Sequence, residues 1–300
     1  MASEQLAAVH DLLRGFDLDD LTIAERREAF EATAAPPPPG TTVEPADAGG
    51  VPAEWVTAAG ADSGRVLMYL HGGAYQVGSP AAARRMIALI SAAAQVRVLS
   101  VGYRLAPEHP FPAAVDDALT AYRFLLKGGT DPAVIAIAGD SAGGGLTLAT
   151  LVALRDAGDP LPAAAVAISP WTDLALTSES LVTRADADVM IKPDGIRESV
   201  ATYLADADPR HPYASPLYAG LHGLPPVLIH VGDAEVILDD STRFAAKARA
   251  AGVDVTLEIW DEMPHVWHAF AGLLTESGQA IERIGDWLQL TLGEPSPPAR

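Results

Sequence analysis

Apolar residues follow two alternating patterns along this chain, short continuous runs and longer stretches in which they recur every three or four positions. The short runs are typical of strands buried on both faces, and the longer stretches are typical of helices with one packed face. Strands alternating with helices indicate an α/β protein with a mostly parallel, doubly wound sheet. Eight strands are predicted, at 42–45, 55–58, 65–70, 96–103, 134–139, 163–168, 225–231 and 253–260, with helices between them that include 81–94 and 113–126.

Two segments do not fit this alternation. Residues 4–16 and 23–34 have helical spacing with no strand between them, and residues 177–212 are polar with scattered apolar positions. Ligands of open α/β sheets bind at the carboxyl ends of the strands, so we expect these segments to form a small helical cap there. The alternative is a surface excursion without function. The prediction is a single domain over 1–300, with cap elements at 1–40 and 178–212 and a core at 41–177 and 213–292.

Composition narrows the classes of function. The 300 residues are 49% hydrophobic, enough for one large core, and the formal net charge is −19. Such a charge argues against nucleic acid or an anionic membrane as a partner. With no cysteine, the chain has no disulfide, thiol nucleophile or thiolate metal site. Glu4, His10 and Asp11 interrupt the apolar core that a signal peptide would need, so we expect a cytoplasmic protein.

The stretch from Gly139 to Gly143 fits the pattern GxSxG and contains Ser141. An apolar run precedes it and a helical stretch follows, which predicts the strand, sharp turn and helix of a nucleophile elbow. The pattern alone is weak because glycine is frequent here, with 26 in the chain. The alternative is a glycine-rich helix start that packs closely on a strand. A serine nucleophile needs a base, an acid that orients the base, and hydrogen-bond donors for the oxyanion, so those groups decide the matter.

Donors for an oxyanion are predicted in the turn His71-Gly72-Gly73-Ala74-Tyr75, which directly follows a strand. Two adjacent glycines let backbone N–H groups approach a ligand without a Cβ in the way. We expect the N–H groups of Gly72, Gly73 and Ala142 to bind the oxyanion. His71 is interpreted as a residue that fixes this loop, and a tight turn without a role is the alternative.

The base is predicted in a loop after the last strand, where His265 follows Pro264. His268 stands one turn later, at the opening of a stretch that suggests core packing, so we interpret it as structural, like His222 and His230.

The acid is expected after the preceding strand. Four carboxylates follow that strand, and the residues alone leave the acid open among Asp233, Glu235, Asp239 and Asp240.

Four motifs together resemble the bacterial hormone-sensitive-lipase family (family IV) of carboxylesterases in the α/β-hydrolase superfamily: HGGA at 71, YRLAPEHPFPAAVDD at 103, GDSAGG at 139 and MPHVWHAF at 263. The resemblance covers nearly the whole chain and implies the α/β-hydrolase fold. In that family the acid usually opens an Asp-Pro-Leu triplet that is followed two residues later by another Asp. That spacing places the acid at Glu235, with Val236 and Ile237 replacing Pro-Leu and Asp239 as the second Asp. Asp233 remains the main rival.

The run from 103 to 117 is interpreted as structural. We expect Arg104, Glu108 and Asp116 to form a polar network that fixes the loop near His71. Asp140, next to the nucleophile, is more plausible as a hydrogen-bonding support than as the acid.

The predicted triad and the family resemblance together imply a serine carboxylesterase that hydrolyses short- to medium-chain acyl esters through an acyl-enzyme, without metal or cofactor. An apolar substrate pocket is expected under the cap, with Tyr75, Trp171, Met190 and Tyr203 as candidate lining. Two alternatives stay open: an amide or lactone hydrolase with the same triad, and a catalytically silent ligand-binding protein of the same fold. Enzymes of the family form dimers by edge pairing of the last strand, so the resemblance allows a homodimer.

Overall fold

An eight-stranded sheet forms the framework of the computed structural model, which describes residues 3–16 and 21–293. The strands are β1 (Thr42–Asp47), β2 (Pro52–Thr57), β3 (Asp62–Leu70), β4 (Val96–Val101), β5 (Ile135–Asp140), β6 (Ala164–Ile168), β7 (Val227–Gly232) and β8 (Val255–Trp260). Their order across the sheet is β1-β2-β4-β3-β5-β6-β7-β8. The first two strands pair antiparallel, β2 pairs antiparallel with β4, and all later pairs are parallel. The predicted fold class is confirmed.

Helices cover both faces of this sheet. Within the described residues they are α1 (Glu4–Arg14), α2 (Ile23–Glu31), α3 (Pro80–Ala94), α4 (Ala113–Lys127), α5 (Ala142–Ala157), α6 (Ser180–Thr183), α7 (Pro193–Leu204), α8 (Leu238–Ala250) and α9 (Thr275–Thr291). Alternate residues of the central strands belong to different apolar clusters, as the period of two requires. Met68 and Leu70 pack with α4, α5 and α8, whereas Leu67 and Tyr69 pack with α3 and α9. No helix in this part of the chain has the length and apolarity that crossing a membrane requires.

The central strands position the loops that carry the predicted chemistry. Strands β3, β5, β6, β7 and β8 run parallel, so their carboxyl ends lie along the same edge of the sheet. All residues of β5, β6 and β7 are buried, and α5 is buried from its first residue to Leu154. The turn between β5 and α5 therefore rests on buried residues of both elements, while Ser141 itself is only partly buried. Close packing beneath the turn restricts the movement of its backbone.

The segments predicted as cap contain four of the helices. Helix α1 buries Leu6, Val9 and Leu13 in a small apolar cluster with Met263 and Trp267. Helix α2 has a capping box at Thr22 and ends at Glu31, three residues before its predicted end. The long segment after β6, residues 177–212, contains α6 and α7.

The packing of α9 on α3 gives a test of this fold. A Cβ at Gly285 would lie 2.6 Å from the Cβ of Ala93 on α3, whereas a Cβ at Gly278 in the same helix would meet nothing within 4 Å. We expect Gly285→Ala to lower the free energy of unfolding by about 1–3 kcal/mol through overpacking. We expect Gly278→Ala to raise it by up to about 1 kcal/mol, because alanine favours the helix. Denaturant unfolding measures both, and equal effects of the two substitutions would contradict this packing.

Candidate active site

Ser141 occupies the sharp turn between β5 and α5. Its backbone has φ 54° and ψ −121°, a strained conformation for a residue with a side chain. The neighbouring end of β6 holds it, because Ser141 N–H donates to Ile168 O at 2.8 Å and Trp171 N–H donates to Ser141 O at 3.0 Å. The turn is as tight as the glycine pattern predicts, since a Cβ at Gly143 would lie 2.0 Å from Leu70 O. The serine is therefore held at the carboxyl edge of the sheet and at the start of a helix.

The structure brings together the three residues expected to form the triad. His265, in the loop after β8, lies with Nε2 2.8 Å from Ser141 Oγ and with Nδ1 2.7 Å from Glu235 Oε2. The carboxylate is fully buried and the imidazole is 3% exposed. A hydrogen-bonded line from carboxylate to imidazole to hydroxyl is the arrangement that lets a serine lose its proton during attack on a carbonyl.

The alternative acid, Asp233, lies elsewhere. Its Oδ1 accepts a hydrogen bond from Glu262 N–H at 2.7 Å, and within the described residues the ring nitrogens of His265 pair with Glu235 and Ser141 instead. Glu235, by contrast, also accepts through Oε1 from Gly232 N–H at 2.6 Å and from Ser169 Oγ at 2.7 Å. The geometry therefore favours Glu235 as the group that orients the imidazole.

Ser169 is a contributor that sequence reasoning missed. It follows β6 directly, is fully buried and has a φ of 46°. Besides donating to Glu235, its hydroxyl accepts from Val266 N–H at 3.2 Å, so it connects the loop of the acid with the loop of the base. The one signal in the sequence was its place at the carboxyl end of a central strand, two strands away from the last.

The surroundings of His265 favour its protonated form. Burial alone lowers the pKa of the imidazole, but the charge of Glu235 and its hydrogen bond oppose this, with smaller contributions from Asp188 and Asp140. The net result is a pKa raised above 6.5.

His71 shows the opposite case, because burial lowers its pKa to about 4 against the effect of its hydrogen bond to Gly72 O. A neutral ring that also stacks on Tyr103 at 4.3 Å agrees with its interpretation as a loop-fixing residue.

The prediction for Gly72 as an oxyanion donor is wrong in this structure. Its single N–H donates to Asp140 Oδ1 at 3.0 Å, and Tyr69 OH donates to the same oxygen at 2.7 Å. Asp140 is thus a support for the loop, and burial raises its pKa even though these two hydrogen bonds act in the other direction. The N–H groups of Gly73, Ala74 and Ala142 have no acceptor within the described part of the chain.

A cavity of about 820 Å³ opens onto Ser141 and His265. Apolar side chains from α1 and the residues after it, from α2 and from the segment after β6 form much of its wall: Leu13, Phe16, Ile23, Phe30, Val189, Met190, Ile191 and Ile196. Trp171 lines it from the core, as Met190 does from the predicted cap. The predictions for Tyr75 and Tyr203 are wrong, because these rings stack on each other at 3.7 Å between the centroids and do not line the cavity.

The run from 103 to 117 fixes the loop near His71, but not through the expected pairs. Tyr103 OH donates to His71 O at 2.6 Å, whereas the carboxylate paired with Arg104 is Asp117 rather than Asp116.

Glu108 instead pairs with Arg27 of α2 at 2.7 Å. The same guanidinium donates to Gln76 O at 2.8 Å and to Ala106 O at 2.9 Å, so α2 is anchored to the loops beside the cavity.

His230 and His268 contact each other through their ring nitrogens. His268 Nε2 lies 3.1 Å from His230 Nδ1, and both rings are fully buried. Burial, with a smaller contribution from His230, lowers the pKa of His268 well below 6.5. These observations agree with a structural role for His268. Over residues 3–16 and 21–293, no group of three or more His, Cys, Asp or Glu side chains is arranged to hold a metal ion.

Comparison with known proteins gives consistent matches over most of the chain. A profile of the α/β hydrolase fold matches residues 67–269. An acetyl-hydrolase of Streptomyces hygroscopicus is 46% identical over 98% of this chain and 99% of its own length. The solved structure of an esterase from the bacterial hormone-sensitive lipase family has a TM-score of 0.95 and 47% identity, covering 98% of this chain and 100% of that one. The structure of EstE5 soaked with p-nitrophenyl butyrate has a TM-score of 0.94 and 49% identity, with coverage of 97% and 99%.

The two candidate acids can be separated by the reactivity of Ser141. We expect Glu235→Gln to slow covalent labelling of Ser141 by a sulfonyl fluoride by roughly 10³-fold or more, because the imidazole loses the partner that orients it. Asp233→Asn serves as the matched control and should label at close to the wild-type rate. Mass spectrometry of the labelled protein over time measures both rates, and the reverse result would transfer the role to Asp233.

Proposed function

We propose that this chain, which belongs to the α/β-hydrolase fold family and within it to the bacterial hormone-sensitive-lipase esterases, is a serine carboxylesterase for short- to medium-chain acyl esters. The observation that supports this most directly is the hydrogen-bonded line from Glu235 through His265 to Ser141. Its placement at a largely apolar cavity adds support. The esterase and acetyl-hydrolase names of similar proteins point to the same class of reaction.

The proposed mechanism begins with attack of Ser141 Oγ on the ester carbonyl carbon while His265 Nε2 takes the hydroxyl proton. Glu235 accepts a hydrogen bond from Nδ1 and stabilises the imidazolium that forms. The tetrahedral intermediate collapses, the C–O bond breaks, and His265 gives its proton to the departing alcohol. Water then attacks the acyl carbon while His265 takes its proton, the bond from that carbon to Ser141 Oγ breaks, and His265 returns the proton to Oγ as the carboxylic acid is released.

The oxyanion of each tetrahedral intermediate is assigned to backbone donors. With Gly72 engaged by Asp140, the N–H groups of Gly73, Ala74 and Ala142 are the donors we propose. Gly73, Ala74 and Tyr75 all have positive φ, at 116°, 52° and 62°, and successive backbone amides in such turns form concave anion sites. Each donor of this kind contributes roughly 3 kcal/mol to lowering the barrier.

We further propose that residues 1–40 and 178–212 act as the cap and that 41–177 and 213–292 form the catalytic core. Support comes from the cavity wall, which α1, α2, α7 and the stretch around Met190 share with Ser141 and His265. The cavity volume of about 820 Å³ suits a short or medium acyl group together with its alcohol. A homodimer through β8, which lies at an edge of the sheet, and a cytoplasmic location remain predictions.

Turnover of matched substrates tests the reaction class. We expect wild-type protein to hydrolyse p-nitrophenyl acetate and butyrate faster than longer acyl esters, and Ser141→Ala to lower kcat by at least about 10³-fold without loss of folding. Thr120→Ala is the control, since it removes a hydroxyl outside the cavity lining. Full activity in folded S141A would contradict the mechanism. Faster turnover of matching anilides or lactones would favour the amide or lactone hydrolase, and no turnover of any substrate would favour a ligand-binding protein.

The pH dependence of hydrolysis tests the role of His265. The neutral imidazole is the active base, so kcat/KM should fall as the pH drops through the pKa of His265 in the free enzyme. The carboxylates around the ring raise that pKa. The acid limb of the pH profile, which is the fall of kcat/KM at low pH, should therefore have its midpoint above pH 6.5. In Glu235→Gln the limb should move to lower pH as activity falls, because the charge that favours the imidazolium is gone. A pH profile of kcat/KM for p-nitrophenyl butyrate measures it, and an unmoved limb in E235Q would contradict the assignment.

A further inference from the structure

The segment inserted after β6, residues 178–212 of the predicted cap, binds the peptide groups on both sides of Val236, the residue that follows Glu235. Val236 N–H donates to Asp188 Oδ2 at 3.0 Å, and Val236 O accepts from Ser180 Oγ at 2.7 Å. The hydroxyl of Ser180 also accepts from Asp239 N–H at 3.1 Å. The turn that presents the acid to His265 is thus fixed by side chains from the predicted cap as well as by the core.

Asp188 is a buried carboxylate, with 1% of its surface exposed. Its Oδ1 accepts from the N–H groups of Met190 and Ile191, each at 2.9 Å, and its Oδ2 accepts from Val236. Lys192 approaches only the backbone carbonyl of Asp188, with Nζ at 3.3 Å from the oxygen. Burying a carboxylate is costly unless hydrogen bonds or an ion pair compensate it, and the three N–H donors of Met190, Ile191 and Val236 supply hydrogen bonds here.

Asp188 also connects the turn that carries Glu235, called the acid turn below, with the cavity. Met190 and Ile191, whose amides it binds, both line the wall of the cavity that opens onto Ser141. Its charge also bears on the imidazole, because Asp188 and Asp140 are the two carboxylates besides Glu235 that favour protonated His265. Asp140 approaches from the end of β5 and binds the Gly72 loop, whereas Asp188 approaches from the inserted segment.

We propose that Asp188 is a positioning residue for hydrolysis, which holds the backbone after Glu235 so that the acid stays on the imidazole, and whose charge supports the imidazolium during proton transfer. The inference rests on the proposed esterase function and assigns a role to the inserted segment beyond covering the cavity. Asp188 acts through Glu235 and His265 and does not touch the reacting atoms.

Three variants test this role. Asp188→Asn keeps the size of the side chain but removes its charge and replaces one of its two acceptor oxygens by an NH2 group, and Asp186→Asn removes the charge of an exposed neighbour as the matched control. Ser180→Ala removes the hydrogen bond to Val236 O without changing charge. We expect D188N to lower kcat by about 10- to 100-fold, as small misplacements of catalytic groups do, and D186N to leave it unchanged.

The acid limb of the kcat/KM profile separates positioning from a merely structural contribution. In D188N we expect the limb to move to lower pH, because loss of a nearby negative charge lowers the pKa of His265. In S180A we expect a lower kcat with the limb in place. Wild-type kcat and limb in D188N would overturn the proposal, and so would a lower kcat with an unmoved limb. If D188N does not fold, wild-type kcat in folded S180A overturns it.

A second measurement, made without substrate, tests the role of Asp188 independently of the proposed esterase function. Titration of the His265 ring by NMR, assigned with a His265→Asn variant, gives its pKa in wild-type, D188N and D186N protein without any substrate. If wild-type protein hydrolyses no ester, the proposed function fails, while the titration still decides whether Asp188 bears on His265. If the esters are hydrolysed and D188N behaves like D186N in both measurements, only this inference fails.

Discussion

The hydrogen bonds around a fully buried carboxylate are the interaction on which the rest of the site depends. Glu235 accepts three hydrogen bonds, from Gly232 N–H, Ser169 Oγ and His265 Nδ1. Loss of one of these partners would leave a buried carboxylate under-bonded and would cost folding free energy. The loops that supply the partners therefore have to stay together. Those loops follow β6, β7 and β8, three neighbours in the sheet. The parallel pairing of these strands therefore does more than form a core, because it brings the donors for one carboxylate to a common edge.

Rigidity is distributed unequally around this centre. The nucleophile lies in a turn packed against Leu70 and followed by a helix that is buried from Ala142 to Leu154. The acid turn, in contrast, takes part of its support from the segment inserted after β6, through Asp188 and Ser180. A change in that segment would thus be transmitted to the acid and the base before it reached Ser141. The division suits a reaction in which the serine must be poised and the substrate must enter past the cap.

The sequence alone predicted the parts of the site that depend on chain order and on motif. Ser141 and His265 followed from a glycine-rich turn after a buried strand and from a histidine after the last strand, and the family spacing selected Glu235 over Asp233. Contacts between loops could not be predicted in this way. Spacing does not tell whether an N–H such as that of Gly72 is already bound, and it does not tell which of Asp116 and Asp117 faces Arg104. Ser169 and Asp188 were missed because a single polar residue in a loop carries no periodic or motif signal.

The two wrong predictions for the cavity wall have a common physical cause. On the sequence alone, Tyr75 and Tyr203 are candidate lining of the substrate pocket. In the structure they stack on each other, with Phe111 edge-on against Tyr203, and join the loop after His71 to α7. Stacked rings bury more apolar surface than either ring would by lining an open cavity, so the cap gains a fixed attachment to the core. Next to the segment after β6 the wall consists of flexible or aliphatic side chains such as Met190 and Ile191, which adapt more readily to different acyl groups, whereas Phe16, Phe30 and Trp171 form its aromatic part.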